Sequence, residues 1–261
     1  IIFCNLFIIN KNGFPEKIKN LKEINKNYNL DNFYLEKKRL SNDFHLKNTF
    51  DLNKKNILII GDSHADDFRN MFFENKELFE EYDFLSLLKN NININNDIEL
   101  LKNHKLVMEA EYIIFSYRWT QKIIEEVFNE LIPHYKSLNK KIIITSSVNE
   151  YYTPSKMYTL LDHLILFGNK KIDYFNLKNE YYENRTLNSK SSINIELKER
   201  SIFLNLKYLN KEDYMCDLIL MECDYLDEEG YKLFYDNDHM TNRGAKHFGK
   251  KIHDIKWFNL N

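Results

Sequence analysis

Asn-Ile-Leu-Ile-Ile-Gly-Asp-Ser-His-Ala-Asp-Asp-Phe, residues 56–68, decides how the rest of the chain is read. Four consecutive β-branched or Leu residues, Ile57 to Ile60, have the composition of a strand buried on both faces. Gly61 ends the run, and Gly61-Asp62-Ser63-His64 makes a tight strand-to-helix turn. Ser63 then lies at the start of a helix, where unpaired backbone N–H groups can stabilise developing negative charge. The bland alternative is that Ser63 is a helix N-cap, a common place for serine.

Working outward, strand and helix patterns alternate. Apolar residues at helical spacing predict a helix over 63–81, with strands at 84–88 and 112–116, a short helix over 97–108 and an Asn-rich loop at 90–96. The clearest helix covers 121–138, with Thr120 as cap and a kink at Pro133. A strand over 141–145 follows, then a helix opening at Thr153-Pro154, a helical region over 171–200, a fifth strand over 201–206 and a last helix over 241–255. This alternation predicts a three-layer α/β/α sandwich around a central parallel sheet.

Composition sets limits. Among 261 residues, 43% hydrophobic content suffices for a large core, and a net charge of −2 gives no field that would draw nucleic acid. Residues 1–9 are apolar except Cys4 and Asn5. They read as the outer end of a transmembrane helix, or as an N-terminal core strand. Residues 10–53, polar and rich in Lys and Asn, read as a linker that packs partly on a domain spanning 54–261. Cys216 and Cys223 have no His nearby to suggest zinc, and are either two buried thiols or a local disulfide of an oxidising compartment. The acidic residues show no metal-ligand spacing.

Functional groups in an open parallel sheet gather beyond the carboxyl ends of the strands. Ser63 follows the first strand, and Asp236-Asn237-Asp238-His239 precedes the last helix. A serine attacks an acyl carbon when a base removes its proton and a third group orients that base. His239 can be the base. Asp236 can reach its other nitrogen across a tight turn, whereas the side chain of Asp238, adjacent to His239, is expected to point elsewhere. For His239, one of eight histidines, the bland alternative is a loop residue. His64 is expected to belong to the turn, and His104, His134, His163 and His247 to helix surfaces.

At these residues the chain resembles the SGNH (GDSL-like) hydrolase superfamily, which places its nucleophile in Gly-Asp-Ser and the rest of its triad in Asp-x-x-His. Gly61-Asp62-Ser63 and Asp236 to His239 match both blocks. It is not the nucleophile elbow of α/β-hydrolases, which needs Gly where Ala65 stands. The family's Gly block is absent, and Ser116-Tyr117-Arg118-Trp119-Thr120 replaces its Gly-x-Asn-Asp. A strand ending in Arg-Trp is similar to the SGNH domains fused to membrane-bound acyltransferase-3 proteins. So are Gly13-Phe14-Pro15 after an apolar run, the late pair Cys216 and Cys223, and Gly244-Ala245 after His239-Met240-Thr241.

The resemblance implies a flavodoxin-like SGNH fold and a Ser63–His239–Asp236 triad that moves an acyl group, acetyl above all, to sugar hydroxyls of a cell-envelope polysaccharide. The acyl group would come ultimately from acetyl-CoA, through an N-terminal membrane domain absent from this chain. The domain would lie on the periplasmic side of the inner membrane. No cofactor and no metal is implied. The oxyanion site would use Ser63, with Arg118 or a backbone N–H after Leu88 replacing the missing donor; one such donor is worth about 3 kcal/mol. Arg118 could equally serve in an ion pair, and Trp119 in packing or as a wall of the substrate cleft. The competing functions are a carbohydrate esterase using water as acceptor, and a catalytically idle glycan-binding domain.

Overall fold

The computed structural model describes residues 48–88, 98–151, 159–167, 176–185 and 187–260. The expectations for residues 1–9, for most of 10–53, for the loop at 90–96 and for the helix start at Thr153-Pro154 lie outside them.

The apolar run forms β1 (Lys55–Gly61), which pairs in parallel with β2 (Tyr82–Leu88) on one side and β3 (Tyr112–Ser116) on the other. With β4 (Lys141–Thr145) and β5 (Lys207–Leu209) the sheet is five-stranded and parallel, in the order β2-β1-β3-β4-β5. This is the flavodoxin-like winding. Its strand order reverses between β1 and β3, the place beyond whose carboxyl ends such sheets form their ligand crevice.

Alternation along β1 assigns its side chains to two layers. Ile57 and Ile59 pack with Ile114, Ile143 and residues of α1 (Ser63–Phe73), chiefly Phe68, Met71 and Phe72. Leu58 and Ile60 face the opposite core with Ile113, Phe115, Ile142 and Ile144. That second layer is closed by α2 (Ile98–Lys102), α3 (Lys105–Glu109), α4 (Gln121–Glu126) and α5 (Ile132–Ser137). After β4 come α6 (Leu160–Phe167), α7 (Leu177–Glu183) and α8 (Leu187–Phe203). Past β5, α9 (Glu212–Met215) leads into a two-stranded hairpin, β6 (Cys216–Asp217) and β7 (Glu222–Cys223). Cys216 and Cys223 are joined by a disulfide. Finally α10 (Asn242–Asp254), capped by Thr241, lays Ala245, Phe248 and Ile252 beside α1.

Several predicted boundaries move. The helix opening at Ser63 stops at Phe73, and a short 3-10 turn, Lys76–Leu78, carries the chain to β2. The predicted 97–108 helix is two, because His104 leaves helical geometry and caps α3, its Nδ1 accepting from the Leu106 N–H at 3.2 Å. The long helix contains a π segment, Val127–Leu131, just before Pro133, whose missing N–H cannot continue the regular ladder. The fifth strand is not at 201–206. Ser201 to Phe203 complete α8, and Asn205 ends it in the left-handed region at φ 52°, with the Leu206 N–H returning to the Ser201 carbonyl at 2.8 Å.

Gly61 is where the sheet and the site depend on one missing atom. A Cβ there would stand 1.8 Å from the Ser116 carbonyl oxygen at the end of β3. Gly61→Ala is therefore expected to destabilise the domain by about 3 kcal/mol or more through backbone overpacking. The urea midpoint reads this, and an unchanged midpoint would show that β1 and β3 can separate without cost.

Candidate active site

β1 delivers the turn to the crevice, and Asp62 fixes it there. Asp62 is the N-cap of α1: its Oδ1 accepts from the His64 N–H at 3.0 Å. Its Oδ2 accepts from the Arg118 N–H at 2.8 Å, which ties this turn to the loop after β3. Ser63 is thus the first helical residue and not the cap. Its Oγ lies 2.8 Å from His239 Nε2.

A second turn places His239. Asp236 Oδ1 accepts from the N–H groups of Asp238 at 3.0 Å and His239 at 2.7 Å, folding the four residues back on themselves. This lets Asp236 Oδ2 reach His239 Nδ1 at 2.7 Å. Outer contacts hold the loop: the His239 carbonyl accepts from the Tyr235 N–H at 3.0 Å, and the Asn237 carbonyl from the Tyr151 N–H at 2.9 Å. The structure brings Ser63, His239 and Asp236 into one line of contacts across 176 positions of sequence.

Three further residues enter that sequence reasoning did not place there. Asp238 does not point elsewhere. It is buried, with Oδ1 3.1 Å from His239 Nδ1 and Oδ2 3.4 Å from His64 Nε2. His64 is buried as well, and its ring stacks on that of His239, centroids 5.1 Å apart and planes within 10°. Asp67, one turn along α1, accepts from the Met240 N–H at 3.4 Å. The only sequence signal for these residues is that each stands within four positions of Ser63 or His239.

Burial disfavours a charge on His239, but the hydrogen bonds it donates to Asp236 and Asp238 and the field of Asp67 outweigh it and push its pKa up to about 10. Burial would raise the Asp238 carboxyl. Hydrogen bonds and charge from His239 and His64 instead hold it well below the usual carboxylate range.

The Arg118 guanidinium is committed to acids. It pairs with Asp238 through one terminal nitrogen, and its Nε lies 3.2 Å from Glu150 Oε1. Of the two roles open to it, the structure shows the ion pair. The acids are Asp238 and Glu150, while Asp62 takes the backbone N–H. Trp119 is a core residue and not a wall of the cleft, since it is only 2% exposed and its Nε1 donates to the Thr145 carbonyl at 2.8 Å. Of the other histidines, His247 lies 3.1 Å from Asp224 and His134 3.2 Å from the Lys102 carbonyl.

Among the described residues folding also creates two groups with metal-ligand spacing that the sequence does not display: His64, Asp67 and His239, and Asp236, Asp238 and His239. Both require His239, whose two nitrogens already face Ser63 and Asp236. A cation there would compete with those contacts, so the donor set fits a proton relay better than a metal.

A parallel α/β domain with serine, histidine and aspartate in contact at its switch point is the general form of a serine acyl-transfer domain. Residues 36–254 match the family described as "SGNH domain (fused to AT3 domains)", and the chain belongs to it. The sequence has no match among curated proteins. Among solved structures it is similar to the periplasmic domain of a lipopolysaccharide acetyltransferase from Salmonella ser. Paratyphi A, with 16% identity, 79% of this chain and 85% of that chain covered, and a TM-score of 0.51. It also aligns with a GDSL-like lipase from Bacteroides thetaiotaomicron, with 10% identity, coverage of 82% and 92%, and a TM-score of 0.42. An acetyl xylan esterase, AlAXEase, aligns at 13% identity, with coverage of 77% and 98% and a TM-score of 0.45. The likeness to the Salmonella domain speaks to the fold alone.

Proposed function

We propose that the chain is a serine-dependent O-acyltransferase that moves an acyl group, acetyl in the first instance, to sugar hydroxyls of a cell-envelope polysaccharide. The observation that carries this reading is the 2.8 Å contact of Ser63 Oγ with His239 Nε2, backed by Asp236 on Nδ1 at 2.7 Å. Ser63 attacks the acyl carbonyl while His239 takes its proton. The tetrahedral oxyanion forms against the N-terminus of α1, and collapse expels the donor's leaving group with the proton from His239. The acyl-Ser63 ester is then attacked by a sugar hydroxyl, which His239 deprotonates, and Ser63 is regenerated.

Family membership supports a partner acyltransferase-3 domain. We place it N-terminal to residues 10–53, with residues 1–9 as the end of its last membrane helix and 54–261 as the catalytic domain. Among the described residues no helix is long and apolar enough to cross a membrane. The Cys216–Cys223 disulfide supports an oxidising compartment, in keeping with the periplasmic face of an inner membrane.

The test compares p-nitrophenyl acetate turnover with and without a panel of envelope glycans. Acetylated sugar, detected by mass spectrometry and formed at the expense of acetate, is the expected result. Hydrolysis that no glycan diverts would instead make the protein an esterase.

A further inference from the structure

Between the two cysteines the chain reads Asp217-Leu218-Ile219-Leu220-Met221-Glu222. Four large apolar residues in succession form the tip of the β6–β7 hairpin, and all four are exposed, Ile219 at 93%. Isolated surface apolar residues need no explanation, but a contiguous group on a projecting tip does. The disulfide clasps Cys216 to Cys223 directly beneath the tip and holds the two short strands together.

Two of the tip's backbone donors and one of its carbonyls have partners. Asp217 Oδ1 turns inward and accepts from the N–H groups of both Ile219 and Leu220 at 2.9 Å. The Met221 carbonyl accepts from Asn179 Nδ2 at 3.1 Å. A backbone donor carried into hydrocarbon without a partner costs several kcal/mol, and these two are satisfied within the loop. At the base, Lys178 lies 3.9 Å from Glu222 and 3.2 Å from Asp224 and counters both, while the Asp217 carboxylate, exposed at the edge of the tip, is held by the backbone N–H groups of Ile219 and Leu220.

The tip is a run of four consecutive exposed apolar side chains closed at its base by a disulfide. Its shape and composition suit shallow insertion into lipid. Its position matters too. Asn149 Nδ2 contacts Cys216 Sγ at 3.5 Å, and the next residue, Glu150, pairs with Arg118, which holds Asp238. The base of the hairpin thus stands at the same end of the sheet as Ser63.

We propose that the 218–221 tip inserts into the surface of a lipid bilayer and holds the Ser63 end of the domain against it. The inference does not depend on what Ser63 does. Its test is the full 261-residue chain carrying Ile219→Trp, mixed with neutral phosphatidylcholine vesicles. Both native tryptophans, Trp119 and Trp257, are buried and give a constant background. The new emission should move to shorter wavelength with vesicles and be quenched by brominated acyl chains, and adding Leu220→Asp should weaken the vesicle-dependent signal at least about tenfold. Emission that vesicles leave as it is in buffer, or a shift that survives Leu220→Asp, would overturn the proposal. The absence of a shift with glycan acetylation intact would sink this inference and leave the acyltransferase reading standing.

Discussion

Ser63→Ala is expected to lower p-nitrophenyl acetate turnover at least about 10⁴-fold, the scale on which serine acyl-transfer enzymes lose rate without their nucleophile. It is also expected to end labelling by a fluorophosphonate probe. Stability separates this outcome from a structural one. Were Ser63 the N-cap of α1, alanine would cost about 1 kcal/mol. The cap is Asp62, whose carboxylate accepts from the His64 N–H and from the Arg118 N–H. Ser63→Ala should therefore leave the urea midpoint within about 0.5 kcal/mol of wild type while activity disappears. Retained turnover, or loss of turnover matched by loss of folded protein, would remove Ser63 from the chemistry. A folded wild-type protein that the probe never labels would point to an idle glycan-binding domain.

The features legible from the sequence are those that local chemistry specifies. β1 is visible because four β-branched or Leu residues before a glycine suit a strand buried on both sides, and the two cores that divide them confirm it. The parallel sheet follows from the alternation of strand and helix patterns, which does not by itself set the strand order. The fifth strand is misplaced because residues 201–206 have β-like composition, whereas Ser201 to Phe203 are captured by α8 and released only at Asn205. Tertiary context overrode propensity there.

At the site, Ser63, Asp236 and His239 are legible because strand-turn-helix chemistry and an i,i+3 turn specify them locally. Asp238 and His64 are not, because what matters about them is a meeting between two segments. His64 stacks on His239, and Asp238 sits between His64, His239 and the Arg118 guanidinium, which arrives from the loop after β3. Adjacent positions on a turn carry no rule for which way their side chains face, so the sequence reading that sent Asp238 outward had no means to see this cluster. For Trp119 the sequence left packing and a cleft wall open, and what decides for packing is again a distant partner, the Thr145 carbonyl 26 residues away.

The carboxylates around His239 lead to an expected pH profile. A neutral imidazole is needed to accept the Ser63 proton, and a pKa pushed up to about 10 leaves that form scarce at neutral pH. Acyl transfer should therefore rise steeply with pH from 7 and level off only near 10. The same shift acts oppositely on stability. Because the folded pKa lies above histidine's ordinary 6.5, the contribution is fully present below about 6.5 and is lost as pH rises toward 10. The two aspartates should divide under substitution. Asp236→Asn removes the carboxylate that holds Nδ1 at 2.7 Å and with it the imidazole's tautomer and orientation, so kcat on the high-pH plateau should fall by about 10⁴-fold, with the inflection also displaced downward. Asp238→Asn keeps that contact and removes one negative charge, so its signature should be an inflection displaced toward 6.5 and a smaller loss of rate. Rate profiles of wild type and both variants between pH 6 and 11 check the whole scheme. A wild-type inflection near 6.5, or one that Asp238→Asn does not move, would mean that these carboxylates leave the base unperturbed and that Asp238 serves only to hold Arg118 and His64 in place.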